Sequence, residues 1–347
     1  MFKKWLSILC LMGGVVGAGL AQDTTREANP ILRSVNPVAS VELIQDGENY
    51  ELVVKGDLPD GCDFPTITNT ERVGRTWFVD LYREVPFGVM CPAMLQSYEQ
   101  RLDASSLFEL DANGMPIAII VVNGKIFGVE NTALDEAFAP VLTDLWVRGP
   151  LPYERISITH TEQGDMSITL AGTLTDGCAI PVYRAVPDWQ NEGFTNVEAY
   201  TAISLNAACA QVLTPFEATM TTPAFQSLAI NGVSVPFDPT QSKATQEFVE
   251  QPLPITSATY EWVEGFQPNL KITVTGTIDG CEFPIQMVPQ PPVDNSYMIK
   301  VVRVVPSDTV CTMIAREFSQ DLIFTPVSFD MPLTLFIGDQ TLTVEMP

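Results

Sequence analysis

Six of the seven cysteines in this chain fall into pairs, and the spacing within the pairs limits the chemistry they could perform. Paired cysteines carry out thiol redox reactions, bind metal ions or form disulfides. The members of a pair are 29, 31 or 30 residues apart, so none has the short C-x-x-C interval typical of redox and zinc sites. The whole chain has one histidine, so nitrogen ligands for a metal are also scarce. This pattern favours structural disulfides.

Each cysteine pair belongs to a sequence unit that occurs three times. In every copy the first cysteine ends an Asp-Gly-Cys triplet, a proline follows three positions later, and a glycine lies a few residues upstream. Because a unit that folds independently must close its own bond, we predict one disulfide within each copy. The predicted disulfides are Cys62–Cys91, Cys178–Cys209 and Cys281–Cys311. Closing a loop of this length stabilises a small domain by roughly 3.6 kcal/mol in the chain-entropy model.

The Asp-Gly pair before each first cysteine is typical of a turn. We expect the aspartate side chain to accept a hydrogen bond from the local backbone and the glycine to adopt a positive φ. Calcium is the alternative, because Asp57, Asp60 and Asp63 crowd the first of these turns and carboxylates are its preferred ligands. Their spacing does not match an EF-hand loop, so we predict no metal site.

Catalytic residues are hard to assign in this sequence. His160 is the single histidine, and it alternates with Ile156 and Ile158 near a strand end, a position typical of packing. The chain lacks G-x-S-x-G, a P-loop and H-E-x-x-H. We therefore predict no enzyme, no catalytic residue and no cofactor. A carboxylate pair of a hydrolase among the 42 acidic residues stays open as an alternative.

The elements that must position these residues are β-strands. Apolar residues alternate with polar ones, turn signals recur roughly every 8 to 12 residues, and a sustained helical period is lacking. Asn123-Gly124 and Asn231-Gly232 predict two-residue hairpin turns, with Gly338-Asp339 in the equivalent place. We predict an all-β chain with about seven strands in each unit, in the range typical of β-sandwiches. In plan each unit resembles an immunoglobulin-like or fibronectin-like sandwich.

The repeat and the composition predict the domain organisation. Lys3 and Lys4, an apolar run and a small residue at Ala21 are typical of a secretion signal cleaved after Ala21. The first linker contains Leu134 to Phe138, which could form a short helix. The predicted segments are a signal peptide (1–21), a disordered lead-in (22–36), module 1 (37–130), a linker (131–147), module 2 (148–237), a linker (238–254) and module 3 (255–347).

Charge and cysteine content restrict the partners and the compartment. The formal charge is −24, and loss of Lys3 and Lys4 with the leader would make it −26. Such a chain repels nucleic acid and anionic lipid, so we predict neither nucleic-acid binding nor membrane insertion of the mature chain. The disulfides and the leader favour a secreted, periplasmic or cell-surface protein.

Aromatic residues in polar surroundings are the candidates for partner contact. Trp189 lies in a polar turn, where a large ring needs something to cover it, either a neighbouring module or an external partner. Phe87 is a weaker case of the same kind. An aromatic also follows each second cysteine by seven residues, at Tyr98, Phe216 and Phe318, and we expect these rings to pack on the disulfide and fill the core.

These observations predict an exported, non-catalytic repeat protein of the cell envelope or extracellular space. It would bind a protein or another envelope component, or act as a structural scaffold. The first alternative is a secreted protease inhibitor that presents the rigid loop from Phe87 to Cys91. The second is the hydrolase with a carboxylate pair.

Overall fold

A computed structural model of the chain describes residues 31–46, 49–108, 110, 114–130, 140–206, 209–241, 244–263, 269–281, 283–290, 296–312, 314–324, 326 and 332–345. Within these residues the fold is all-β, as predicted, with 25 strands and a 3-10 helix at Ser105–Phe108. The predicted signal peptide (1–21) and the short helix predicted within 134–138 lie outside the described residues.

The first nine strands form two sheets. β1, β5, β7, β8 and β9 follow one another in a six-stranded sheet in which β4 also pairs with β5, and β2, β3 and β6 form a three-stranded sheet. The strands are β1 (Ile31–Val35), β2 (Ser40–Asp46), β3 (Asn49–Leu58), β4 (Ile67–Val73), β5 (Thr76–Pro86), β6 (Gln96–Asp103), β7 (Ile119–Val122), β8 (Lys125–Glu130) and β9 (Val141–Thr143).

The next eight strands lie between residues 146 and 235. The order β10-β14-β16-β17 forms one sheet, in which β13 also pairs with β14, and β15-β12-β11 form part of another. The strands are β10 (Trp146–Pro150), β11 (Tyr153–His160), β12 (Met166–Leu174), β13 (Ile180–Pro187), β14 (Phe194–Ser204), β15 (Thr214–Thr222), β16 (Ser227–Ile230) and β17 (Val233–Val235).

The last eight strands lie between residues 246 and 344. The order β18-β22-β24-β25 continues the sheet that contains β11, β21 pairs with β22, and β19-β20-β23 form a separate sheet. The strands are β18 (Gln246–Pro252), β19 (Ile255–Val263), β20 (Asn269–Ile278), β21 (Gln286–Pro289), β22 (Ser296–Pro306), β23 (Arg316–Phe324), β24 (Leu333–Ile337) and β25 (Gln340–Val344).

Three sets of eight strands, β1–β8, β10–β17 and β18–β25, have one pairing pattern. In each set the first strand pairs antiparallel with the fifth, the third lies between the second and the sixth, and the fifth pairs parallel with the seventh. We call them the first, second and third strand sets. The fifth strand is the longest of each set, 11 residues every time, and its partners surround it.

The first strand of each set corrects the predicted boundaries. Residues 31–35 belong to the predicted disordered lead-in, and β18 lies within the predicted linker 238–254. The linker 131–147 likewise contains β9 and the start of β10. These strands were missed because their partners are distant in sequence: Ile31 pairs with Pro86, and Phe248 with Pro306. Pairing with an existing strand determines their conformation more than their own composition does.

In each set, buried side chains of the sheet that contains the third strand pack against those of the sheet that contains the fifth strand. In the first set, Leu52 and Val54 of β3 share a cluster with Trp77 and Val79 of β5. In the third set, Leu270 of β20 packs in the same way with residues of β22 and β24. The alternation of buried and partly exposed residues along β20 follows from this one-sided packing.

The Asn-Gly hairpins form as predicted. Asn123 and Gly124 have φ values of 46° and 82°, and Asn231 and Gly232 have 49° and 82°. The Asn123 side chain also bonds β5, because its Oδ1 accepts from Leu81 N at 2.7 Å and its Nδ2 donates to Leu81 O at 2.9 Å. Asn231 makes the same pair of bonds with Ala199. The asparagine side chain therefore adds hydrogen bonds to the fifth strand just beyond the residues that pair with the seventh strand.

The three strand sets are joined in two different ways. Between the second and third sets, Ile156 of β11 pairs with Phe248 of β18, which makes one eight-stranded sheet. Between the first and second sets, Phe78 and Val121 share a buried cluster with Val182 and Tyr200. The second set is therefore attached through a sheet edge on one side and through an apolar sheet face on the other.

Candidate functional site

Each Asp-Gly-Cys turn is held to the segment around the second cysteine by a covalent bond and a hydrogen bond. The disulfides are Cys62–Cys91, Cys178–Cys209 and Cys281–Cys311, the pairs that the spacing predicts. In the first turn, Gly61 N also donates to Pro92 O at 2.9 Å, and equivalent bonds occur in the other two. These turns thus anchor the loops that follow.

The aspartate of each turn acts as predicted. Its Oδ1 accepts a hydrogen bond from the backbone N of the cysteine two residues later, at 3.1 Å for Asp60, 2.8 Å for Asp176 and 3.1 Å for Asp279. The side chain therefore closes a small ring that fixes the direction in which the cysteine leaves the turn.

The expected positive φ of the turn glycines is wrong. Gly61, Gly177 and Gly280 are absent from the positive-φ glycines of the described residues. The need for glycine comes from close approach: a Cβ on Gly61 would lie 2.6 Å from Met94, and one on Gly280 would lie 1.8 Å from the Thr312 hydroxyl. Glycine is favoured at these two positions because the segment after the second cysteine packs directly on the turn, whereas a Cβ on Gly177 would lie 3.2 Å from Ala210 O.

In two of the three turns, the aspartate forms an ion pair with a buried arginine. Arg83 is fully buried and donates to both Asp60 oxygens, at 3.0 and 2.8 Å, and to Cys62 O. Arg303 contacts Asp279 at 2.6 Å and donates to Cys281 O in the same way. These hydrogen bonds lower the pKa of Asp60 and of Asp279 below the ordinary value of 3.8. The second set has Thr201 eight residues before its second cysteine, where the others have arginine.

The chemistry of these turns is structural. In each, an aspartate oxygen and two cysteine sulfurs lie within 4.8 Å of one another, a grouping that could suggest a metal site. The sulfurs are bonded to each other, so they offer no thiolate ligand. Of the carboxylates in the calcium alternative, Asp60 is occupied by Arg83, and Asp57 accepts a hydrogen bond from Ser97 at 2.7 Å.

The upstream glycine of each copy lies opposite the aromatic residue that follows the second cysteine. Gly56 pairs with Tyr98 across β3 and β6, and a Cβ on Gly56 would lie 2.0 Å from Pro37 O and 2.8 Å from the Tyr98 ring. Gly172 and Phe216, and Gly276 and Phe318, have the same relationship. The three rings pack on the core clusters, as expected, whereas their packing on the disulfides stays a prediction. Each ring lies beside a glycine that a proline carbonyl oxygen also approaches.

The loop between the fifth and sixth strands carries the second cysteine in every set. We call the segments 87–95, 205–213 and 307–315 the cysteine loops. Their sequences contain one charged residue, Asp308, in a chain with 60 charged residues (42 acidic and 18 basic). They present large apolar side chains to solvent instead: Phe87, Val89, Met90, Met94, Leu95, Leu205, Val212, Leu213, Val310 and Ile314.

The exposed apolar residues occupy equivalent positions. The residue three after the second cysteine is Met94, Val212 or Ile314, and its exposed fraction is 57%, 51% or 62%. The residue just before the second cysteine is Met90 or Val310 in the first and third loops, and each is 94% exposed. These positions were not predicted from the sequence, although aligning the three copies on the second cysteine places an apolar residue at the third position after it in each. Exposed apolar residues therefore recur at fixed positions around the second cysteine.

The two aromatic residues predicted for partner contact have different surroundings. Phe87 is 61% exposed and belongs to the first cysteine loop, so the structure adds it to the repeated apolar surface. Trp189 lies after β13, where the Arg33 guanidinium of the first strand set is 5.1 Å from its ring centroid. Arg33 also stacks on Tyr82 and pairs with Glu84. A neighbouring strand set therefore covers part of Trp189.

His160 is the last residue of β11 and is half-buried opposite Met166. The buried Ile156 and Ile158 precede it on the same strand. This is the strand-end position that the sequence pattern predicts for it.

Comparison with known proteins identifies no relative. The chain matches no protein-family model, no curated protein and no solved structure. In the described part of the chain, no helix has the length and apolar character needed to cross a bilayer. The three disulfides fit an extracellular or otherwise oxidising environment.

Proposed function

We propose that this chain is an exported, non-catalytic binding protein whose three cysteine loops dock a protein partner. The observation that carries the proposal is the recurrence of exposed apolar residues at equivalent positions of these loops, with Met94, Val212 and Ile314 as the shared position. Solvent exposure of such residues costs solubility, and docking against a partner would bury them.

The architecture that presents the loops is proposed to be three tandem modules, each an immunoglobulin-like or fibronectin-like β-sandwich. Two observations support this: the common pairing pattern of the three strand sets, and the cores that join side chains of both sheets. Each module has its own disulfide, which fastens the cysteine loop to the Asp-Gly-Cys turn. A loop held in this way loses little conformational entropy when it binds.

The export of the chain is proposed from its first residues and its disulfides. The leader has the sequence of a cleaved signal, and the disulfides need an oxidising compartment to persist. We place the mature protein in the extracellular space, the periplasm or at the cell surface.

The expected partner surface is apolar at its centre and basic around it. The loops contain a single charged residue, Asp308, whereas the whole chain carries a formal charge of −24. A basic partner would be attracted over distances of about 10 Å at moderate ionic strength and would then bury the loops in apolar contact. High salt would slow such association more than it would speed dissociation.

The experiment compares proteins captured from culture fluid and envelope extracts by matched variants of the mature chain. The test variant combines Met94→Glu, Val212→Glu and Ile314→Glu. The control is Ile323→Glu, because Ile323 is 59% exposed on β23, outside the loops. We expect a basic protein to be retained by the wild type and the control and lost by the test variant. Equal capture by all three chains would refute the proposal.

Protease inhibition is the second candidate, and one observation favours it. Met90 is 94% exposed, and the next residue is fastened by the Cys62–Cys91 disulfide, so its side chain projects from a restrained loop. Inhibition would appear as stoichiometric loss of activity in serine proteases that accept apolar side chains, and Met90→Asp would abolish it. Full protease activity in the presence of excess chain would exclude this candidate.

A further inference from the structure

A cleft of about 920 Å³ lies where the three strand sets meet. The β7–β8 turn contributes Gly124, and β10 and β14 contribute Arg148 and Tyr200. The third set contributes Met298, Lys300 and Phe336 from β22 and β24. The volume falls in the range of small-molecule sites, and a junction between structural units is a common place for them.

Arg148 carries the positive charge that distinguishes this cleft. Its guanidinium lies 4.3 Å from the Tyr200 ring centroid, and its Nη2 donates to Gly124 O at 2.7 Å. No carboxylate of the described residues lies within ion-pair distance of it. The buried arginines Arg83, Arg184 and Arg303 all have such a carboxylate. A half-buried arginine without a counter-ion is unexpected in a chain this acidic.

The other charged groups of the cleft are already paired. Lys300 Nζ contacts Glu250 at 2.6 Å, and Glu198 accepts a bond from Arg184 at 2.9 Å. Arg184 also binds Asp80, so what distinguishes Arg148 in the described lining of the cleft is that no carboxylate lies within ion-pair distance of it. Burial raises the pKa of Tyr200 to about 12, so its hydroxyl stays neutral beside the arginine at physiological pH.

The wall contributed by the third strand set is apolar and open. Met298 is 46% exposed and Phe336 42% exposed, and their strands β22 and β24 pair in parallel. Together with the Tyr200 ring they give the cleft a large apolar surface beside Arg148, which has no carboxylate partner among the residues that the structure describes. Ligand sites commonly combine a mainly apolar lining with one charged group that fixes orientation.

We propose that this cleft binds a small molecule with one anionic group, such as a carboxylate, on a flat apolar body. The anionic group would accept hydrogen bonds from Arg148, and the body would pack against Met298 and Phe336. Because residues of all three strand sets line the cleft, the ligand would also stabilise their arrangement. The site is separate from the cysteine loops and does not depend on the protein-binding function.

The test uses 2-naphthoate as the probe and isothermal titration calorimetry of the mature chain. We expect one site, with the neutral analogue 2-naphthalenemethanol bound at least about tenfold more weakly. Arg148→Gln should weaken 2-naphthoate by about tenfold or more. The matched control is Arg155→Gln, an exposed arginine of β11, and it should bind as the wild type does.

Two further variants keep the outcome clear. Met298→Trp narrows the cleft at an exposed position and should weaken both probes, while circular dichroism checks that the fold is retained. The Met94→Glu, Val212→Glu and Ile314→Glu variant should bind 2-naphthoate unchanged, which separates this site from the loops. Absence of binding by the wild type, or equal affinity in Arg148→Gln, would overturn the proposal.

Discussion

Arg184 of the second strand set donates a 2.6 Å hydrogen bond to Asp80 of the first, and the pair joins two parts of the chain 104 residues apart. The same guanidinium binds Glu198 at 2.9 Å and stacks on Phe78 at 4.6 Å. Asp80 and Glu198 occupy equivalent positions on the fifth strands of their sets, because each lies four residues after the residue that begins its parallel pairing. Arg184 thus binds two carboxylates that occupy the same position in the fifth strands of two sets.

Replacing this arginine tests the junction between the first two strand sets. Arg184→Met keeps the apolar stem against Phe78 but leaves two carboxylates without their partner. We expect a loss of about 1–3 kcal/mol, below the usual cost of breaking a fully buried pair because both carboxylates are partly exposed. Urea denaturation measures the loss. Arg101→Met, which breaks two exposed ion pairs, should lower stability much less than Arg184→Met does, and an equal effect of the two variants would contradict the role of Arg184.

The upstream glycine predicts a steep difference between two substitutions to alanine. Gly56→Ala would place a Cβ 2.0 Å from the backbone oxygen of Pro37, so the strand must move, and we expect a loss of at least about 2 kcal/mol. Gly61→Ala meets the side chain of Met94, which can rotate away, so its cost should be smaller. Thermal unfolding of the two variants checks the order. A larger loss for Gly61→Ala would show that the contact with Pro37 is unimportant.

Acid should weaken the first and third strand sets at their Asp-Gly-Cys turns. The pKa of Asp60 is lower in the folded chain than its ordinary value of 3.8, because Arg83 donates to the carboxylate. The resulting stabilisation is present above 3.8 and is lost as the pH falls through the lowered pKa. Urea denaturation at pH 5 and pH 3 should therefore show a smaller loss of stability in Arg83→Met than in the wild type.

The second strand set supplies the control for this acid effect. Thr201 stands there in place of the arginine, and its hydroxyl donates to Pro150 O at 3.3 Å. Thr201→Val should leave the difference in stability between pH 5 and pH 3 as it is in the wild type. If Arg83→Met lost as much stability on acidification as the wild type does, the ion pair with Asp60 would not be the cause.

Removing the second disulfide should destabilise its own strand set, and the third set that shares its sheet, more than the first set. The double variant Cys178→Ser and Cys209→Ser opens a loop of 31 residues, for which the chain-entropy model gives roughly 3.6 kcal/mol. Hydrogen exchange should show faster exchange in β12 to β15, and the first set should keep its protection. Loss of protection throughout the chain would instead mean that the three sets unfold as one unit.

The sequence predicted what depends on local pattern. The cysteine pairs, the Asn-Gly hairpins and the aspartate side-chain turns all follow from residue types at short fixed spacings, and the structure contains them. Strands β1, β10 and β18 were not predicted, because each depends on a partner about 50 residues away. Long-range pairing and burial decide these cases, and a single sequence does not display either.

The candidate sites show the same division. Phe87 was predicted as a contact residue because an aromatic ring is unusual in a loop. Met90 and Met94 were not predicted, since methionine is as common in cores as on surfaces. The cleft around Arg148 was beyond prediction, because its walls come from three distant parts of the chain. The turn glycines were predicted correctly as a requirement but for the wrong reason, since only the packed structure shows Met94 lying on Gly61.

The most direct test of the proposed function maps where a captured partner contacts the chain. Hydrogen–deuterium exchange of the free protein and of the complex would be compared peptide by peptide. We expect slower exchange in the complex at 87–95, 205–213 and 307–315, with the β2-β3-β6 sheet unchanged. Slower exchange confined to that sheet or to other surfaces, with the three loops exchanging as in the free protein, would contradict the proposed function.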